Sequence, residues 1–208
     1  MEKTIIVSDF DGTITREDTL YKFFKTYADN YWLEIEAMWV DGKIGSAECL
    51  LRQFELVDNL NKDLIEKYTS TIELDPYFKE FIENNKNNFV VVSDGVDYFI
   101  NKVLENHGIK NIKIISNHAE FIEGKFSLSY PNKNLNCKNK SGTCKCSVVN
   151  TLKEKYDKII YIGDGQSDFC VADKADILFA KGSLLNYCKK NNIKCREFES
   201  FRDIADNL

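Results

Sequence analysis

The chain has 208 residues, 43% of them hydrophobic and 29% charged, enough to bury one sizeable core. Its net charge of −5 argues against a broad nucleic-acid surface, and no apolar run approaches the roughly 20 residues that span a bilayer. Seven cysteines spread along a chain that goes straight into a strand-like segment predict reduced thiols in a cytoplasmic protein.

Ile5, Ile6 and Val7 form a short run without a polar face, the pattern of a strand buried on both sides. Asp9, Phe10, Asp11, Gly12 and Thr13 follow directly. Two carboxylates one residue apart at a strand end can face one point, and such a pair needs a cation or a proton to be held together.

From residue 18 to about 71 the apolar spacing becomes helical: Leu20, Phe23, Phe24 and Tyr27, then Trp32, Ile35, Met38 and Trp39, then Leu50, Phe54 and Val57, then Leu64, Ile65 and Tyr68. Gly42 and Gly45 interrupt the run, Ser46 is placed to cap the next helix, and Asn61 the one after. These residues, 16–74, read as a helical cap module between two parts of a catalytic core, 1–15 and 75–208.

Asp75-Pro76 has the form of a helix start. Residues 89–92 make a second apolar strand that ends in Ser93-Asp94-Gly95, with a helix expected over about 96–106. Residues 112–115 make a third strand. The alternation over 121–130 around Glu123-Gly124 predicts a β-hairpin. A polar, cysteine-bearing loop covers 131–143, and a helix follows over 147–156. A fourth apolar strand, 159–162, ends in Gly163-Asp164-Gly165-Gln166-Ser167-Asp168. A helix to about 174, a strand over 177–180, a helix over 183–191 and a short strand near 195–198 complete the expected order.

Strands alternating with helices predict an α/β fold with a Rossmann-like, doubly wound parallel sheet. Ligands bind such sheets beyond the carboxyl ends of the strands. Three strands here end in polar loops, at 8–13, 93–95 and 163–168, and the fold would bring them to one edge. Asp9 and Asp164 can then offer carboxylate oxygens to Mg²⁺, with the backbone carbonyl of Asp11 as a third ligand. Ser93 and the N–H groups of Asp94 and Gly95 form an expected phosphate cradle. Lys145 can meet both a phosphoryl oxygen and the nucleophile, and Asp168 can orient Lys145 or a metal-bound water. The chemistry this set suits is attack by Asp9 on phosphorus, with Asp11 as the proton donor and acceptor.

DFDGT at 9–13, the Ser93 turn, Lys145 before a helix and GDGQSD at 163–168 together resemble the haloacid dehalogenase superfamily. The resemblance covers the whole chain. It implies a Rossmann-like core, a Mg²⁺-dependent aspartate nucleophile, and a cap inserted after the first strand. Asp11 favours the phosphatases over the dehalogenases. Cys144-Lys145, GDGQSDFC and ADILFAKGSLLNYC further resemble the phosphoserine phosphatase-like group. Within that group they are most similar to the methionine-salvage diketo-methylthiopentane phosphate phosphatases and the phosphoethanolamine/phosphocholine phosphatases. Asp18 stands nearest the place where phosphoserine phosphatases carry a substrate-binding Glu. The substrate is therefore expected to be a small phosphomonoester. Alternative readings are phosphoryl transfer to another hydroxyl and a non-catalytic phosphate-binding protein.

Cys137, Cys144 and Cys146 share one loop. A zinc ion there would want a fourth ligand, which Cys170 or His118 could supply, and ordinary reduced thiols are the other reading. Tyr21 and Phe24 face either core or substrate.

Overall fold

The computed structural model describes residues 2–208. It has a seven-stranded sheet flanked by helices on both faces. In chain order the elements are β1 (Thr4–Ser8), α1 (Thr19–Tyr27), α2 (Trp32–Val40), α3 (Ser46–Glu55), α4 (Lys62–Thr69), α5 (Phe78–Asn85), β2 (Phe89–Val96), α6 (Asp97–Asn106), β3 (Lys113–Ile122) and β4 (Lys125–Ser129). Then come α7 (Lys145–Lys153), β5 (Lys158–Gly163), a 3-10 helix (Gln166–Val171), β6 (Ile177–Ala180), α8 (Gly182–Asn191), β7 (Arg196–Glu197) and α9 (Phe201–Ala205). The strand order is β4-β3-β2-β1-β5-β6-β7, parallel throughout except for β4, which runs back along β3.

Alternation along the strands divides the interior in two. Ile6, Val91, Ile160, Ile162 and Phe179 point to one face, where they join α5, α6, α9 and the helices α1–α4 in one apolar cluster. Ile5, Val7, Val90, Val92, Ile159, Tyr161, Leu178 and Ala180 point to the other face, covered by α7 and α8. Sequence-adjacent apolar residues on both faces explain why these strands lack a polar side.

Helices α1–α4 hang from two chain segments that run side by side. Thr15 and Leu74 form an isolated antiparallel bridge, Asp75 N–H donates to Ile14 O at 2.8 Å, and Arg16 N–H donates to Glu73 O at 3.0 Å. Above this neck an aromatic cluster ties α1, α3 and α4 to α6: the Phe23 ring lies 5.0 Å from Tyr68 and from Phe99, and 6.2 Å from Phe54.

Four local expectations are corrected. Ser46 does not cap α3; Gly45 occupies that position, and the Ser46 hydroxyl donates to Asp94 instead. Asp75-Pro76 opens a turn, and the helix begins at Phe78. The third strand and the first arm of the hairpin are one continuous strand, β3. Its turn at Glu123-Gly124, both with positive φ, fits the right-handed strand twist. The helix α9 after the last strand was not expected; a five-residue helix is too short to show a period. Asn61 does cap α4, accepting from Leu64 N–H at 2.9 Å. Among the described residues no helix is long and apolar enough to cross a membrane.

Phe23→Ala, at a fully buried ring packed by five aromatic neighbours, is expected to destabilise the fold by about 3–5 kcal/mol. Urea unfolding monitored by circular dichroism measures it.

Candidate active site

The site lies at the carboxyl edge of β1, β2 and β5. Asp9 follows the last residue of β1, and its backbone N–H donates to Ile162 O on β5 at 2.9 Å, which fixes the two strand ends together. The Asp9 carboxylate accepts from Phe10 N–H at 2.7 Å through one oxygen, and the other oxygen lies 2.7 Å from the Lys145 ammonium. Lys145 is the first residue of α7, two positions earlier than the expected helix start, and it is 2% exposed.

The Lys145 ammonium is held by three groups: Asp9, Asp168 at 2.7 Å and the Ser167 hydroxyl at 2.8 Å. Burial alone would lower its pKa, but the carboxylates of Asp168 and Asp9 outweigh that and raise it. It therefore stays a cation throughout the physiological range.

Asp168 is completely buried and its lone pairs are taken. One oxygen accepts from Lys145 and from the Tyr161 hydroxyl at 2.6 Å; the other accepts from the backbone N–H groups of Asp164 and Gly165, each at 3.1 Å. With four donors on two oxygens, Asp168 is a positioning group and has little capacity left for a metal.

Asp164 accepts from the Thr13 hydroxyl at 2.6 Å through one oxygen. Its other oxygen faces Gly12, where a Cβ would stand 2.5 Å away; Gly12 also has φ +70°, so no other residue fits there without strain. Asp9, Asp164 and Asp168 each offer a carboxylate oxygen within 4.8 Å of the others. Three carboxylates against one ammonium leave an excess of negative charge. It is expressed as raised pKa values: Asp9 is pushed well up by burial and by Asp168, and Asp164 is pushed up to about 6 by burial and Asp168. A divalent cation would reverse that penalty, so the residues present fit Mg²⁺, with Asp9 and Asp164 as its carboxylate donors.

The Asp11 side chain lies outside this acidic group. It accepts from Thr19 N–H at 3.2 Å, and its other oxygen faces Gly95, where a Cβ would come within 2.6 Å. Burial first, and the charge of Asp18 second, push its carboxyl up to about 7. A carboxyl titrating there can both give and take a proton near neutrality.

Ser93, Asp94 and Gly95 occupy a bulge within β2, not a turn before a helix. Pairing with β3 jumps from Val92–Ile115 to Val96–Asn117, and α6 begins only at Asp97. Ser93 is buried and its Oγ accepts from Gly95 N–H at 2.9 Å. The Asp94 carboxylate turns away to join three parts of the chain: it accepts from the Ser46 hydroxyl of α3, from Thr143 N–H at 2.9 Å and from the Asn117 amide at 3.3 Å. No sequence motif announced this junction. Asp18 caps α1, accepting from Tyr21 N–H at 2.8 Å, and lines the same cavity.

The cavity between these loops and the helices takes in Tyr21 and Phe24, which the sequence left between core and substrate, and continues into residues it did not single out as binding groups. Tyr21, Phe24, Trp39 and Leu50 form an apolar side, and Glu36, Ser46 and Gln53 a polar one. Gln53 Nε2 donates to Glu36 at 2.8 Å, and burial raises the Glu36 carboxyl. These residues carry helical periodicity alone, which cannot separate a cavity wall from core.

The sequence profile of the haloacid dehalogenase-like hydrolases matches residues 6–173. A protein of Bacillus pumilus (strain SAFR-032) named 2-hydroxy-3-keto-5-methylthiopentenyl-1-phosphate phosphatase is 32% identical over 209 residues, covering 98% of this chain and 90% of that one. A protein of the same name from Exiguobacterium sp. is 30% identical and covers 97% of this chain and 95% of its own length. In structure, the chain resembles a phosphoserine phosphatase carrying an analogue of its phospho-aspartyl intermediate, with a TM-score of 0.72, 20% identity and full coverage of both chains. At that identity the likeness is one of fold.

The raised carboxyl of Asp11 fixes the sign of a stability effect. Its folded value of about 7 exceeds the ordinary 3.8, so the folded state holds this proton more tightly than the unfolded one. The cost of ionising it in the fold accumulates as pH rises from about 4 and is complete above about 7. Asp11→Asn removes that cost. The melting temperature of the variant minus that of the wild type, without Mg²⁺, is expected to be larger at pH 8 than at pH 5 by at least about 4 °C; an equal or smaller difference at pH 8 contradicts the assignment.

Proposed function

The chain belongs to the haloacid dehalogenase-like hydrolase family, and we propose that it is a phosphatase that hydrolyses a small phosphomonoester through an aspartyl-phosphate on Asp9. The observation that carries this reading is the paired placement of Asp9 and Asp11. One carboxylate is clamped to a permanent cation, and the other, beside it, titrates near neutrality. A binding protein needs neither a held nucleophile nor an adjacent acid.

Asp9 is oriented by Phe10 N–H and Lys145 so that an oxygen can attack phosphorus in line with the leaving group. Asp11 protonates the departing alkoxide. It then takes the proton of the water that attacks the aspartyl-phosphate. Lys145, held cationic by Asp168 and Asp9, balances negative charge and acts as an anchor rather than an acid. Asp168, with Tyr161 behind it, keeps that ammonium in place. The Ser93 hydroxyl, in the β2 bulge, is the expected phosphoryl-oxygen donor, and the absence of a side chain on Gly95 leaves room beside Asp11. Asp9, Asp164 and the Asp11 backbone carbonyl would hold Mg²⁺, which would supply neutralisation of the phosphoryl charge.

Residues 16–74 act in this reading as a cap over the site. The first candidate substrate is 2-hydroxy-3-keto-5-methylthiopentenyl-1-phosphate. Its apolar methylthio end matches the side formed by Tyr21, Phe24, Trp39 and Leu50, and its oxygen functions match Ser46 and Gln53. Phosphoserine fits less well, because among the described residues lining the cavity there is no arginine or lysine to pair with its carboxylate. Asp18 and Glu36, both carboxylates in the cavity, support a second reading in which the leaving group is cationic, as in phosphoethanolamine or phosphocholine. The seven cysteines, all thiols, suit the reducing cytoplasm.

The test is phosphate release with Mg²⁺ across these four compounds. One of them is expected to reach about 10⁴ M⁻¹s⁻¹ or better. Asp9→Asn is expected to lower that value by on the order of 10³-fold or more, and Asp11→Asn by about 10²–10⁴-fold. Phosphate transferred to an added alcohol without release points to a transferase. Full activity in Asp9→Asn rejects the proposal.

A further inference from the structure

The loop 130–144 between β4 and α7 has neither helix nor strand, and its one aliphatic residue, Leu135, is 92% exposed. Apolar packing therefore does not hold it, although its last residues position Thr143 against Asp94 and Lys145 against Asp9. Its hydrogen bonds to the rest of the chain lie at its ends, from Tyr130 to Ala47 O, from Asn132 to Ser116 O and from Thr143 N–H to Asp94.

Four sulfurs gather where this loop meets the 3-10 helix. Cys144 Sγ and Cys146 Sγ are 3.4 Å apart. Cys137 neighbours Cys144 on one side and Cys170 neighbours Cys146 on the other, although no three of the four sulfurs lie within 4.8 Å of one another. In a tetrahedral zinc–thiolate centre, with Zn–S near 2.3 Å, neighbouring sulfurs stand about 3.8 Å apart. Three of the sulfurs also receive backbone donors, which favour the thiolate, although burial dominates and raises the thiols of Cys144, Cys146 and Cys170. Asn139 and Ser141 N–H groups point to Cys137, Ser147 N–H to Cys144, and Cys146 N–H to Cys170. Cys144 and Cys146 flank the first residue of α7, where the helix dipole favours negative charge. His118, the other conceivable ligand, is engaged by Asp97 at 2.6 Å.

We propose that Cys137, Cys144, Cys146 and Cys170 form a tetrathiolate zinc site that fastens the loop 130–144 to the 3-10 helix and fixes the backbone of Lys145 between two of its ligands. The four sulfurs form an open chain, and binding draws the outer two, Cys137 and Cys170, inward by rotation of their side chains. Each thiol gives up a proton to solvent on binding, so zinc affinity falls as pH is lowered. The site is separate from the acidic one: its ligands are sulfurs, and zinc there is structural.

The test uses the full chain, expressed with zinc in the medium, purified without chelator and passed into Mg²⁺ buffer. Element analysis by mass spectrometry is expected to give about one zinc per chain in the wild type and in Asp9→Asn, and at least fivefold less in the Cys137→Ser/Cys170→Ser double variant. Should that variant not fold, titrating native wild type with a mercurial in the presence of a zinc-sensitive dye gives the same answer, with zinc released as the thiols are blocked. Zinc below about one-tenth per chain in wild type, even after addition of one equivalent and gel filtration, overturns the proposal. So does zinc that survives the cysteine changes but is lost in Asp9→Asn, or a Cys144–Cys146 disulfide in protein purified under reducing conditions.

Discussion

A single buried ammonium organises the active edge of this protein. Lys145 brings Asp9 from the end of β1 and Asp168 from the 3-10 helix after β5 to within 2.7 Å of one atom, so three chain segments far apart in sequence share one charge. Such a cluster is not where the fold finds its stability. Removing charges from water costs several kcal/mol per ion, and the attraction between them returns that only when every remaining donor and acceptor is satisfied. Here Asp168 meets the condition with four donors, whereas Asp9 and Asp164 remain short of positive charge. The stability that tolerates this comes from the two apolar layers on either side of the sheet.

The core strands and the three polar loops were legible because the information is local. A run without a polar face marks a strand covered on both sides, and the residue types that follow it mark the edge where ligands bind. Asp9, Asp11, Asp164, Asp168 and Lys145 are all drawn toward one cavity edge on that ground. What could not be read is pairwise and distant. The Asp94 carboxylate joins Ser46 and Thr143, 48 and 49 residues away, and nothing in the local pattern around Ser93-Asp94-Gly95 separates a bulge from a turn. Ser46 has the form of a helix cap, yet its hydroxyl is used by that distant carboxylate. Glu36 and Gln53 sit at helical spacings that serve a cavity wall and a packed core equally well.

The same junction bears on how the helical segment 16–74 would act as a cap. Below, it is attached through the two side-by-side segments at Thr15 and Leu74; above, α3 touches the core through Ser46 on Asp94 and through the Tyr130 hydroxyl on Ala47 O at 2.8 Å. Its aromatic side is continuous with the core through Phe23, Phe54 and Phe99. Opening by rotation about the neck would have to break these two polar contacts, and the first of them ties α3 to the Ser93 bulge through Asp94.

The central claim is that Asp9 becomes covalently phosphorylated. The most direct measurement mixes the enzyme, wild type and Asp11→Asn in parallel, with the best substrate and Mg²⁺, quenches in acid at times spanning the first turnover, and maps peptides by mass spectrometry. The account predicts the added mass of one phosphoryl group on the peptide containing Asp9, lost on treatment with hydroxylamine and absent from the same experiment with Asp9→Asn. Turnover without any phosphorylated peptide, or the phosphoryl group on a residue other than Asp9, contradicts it.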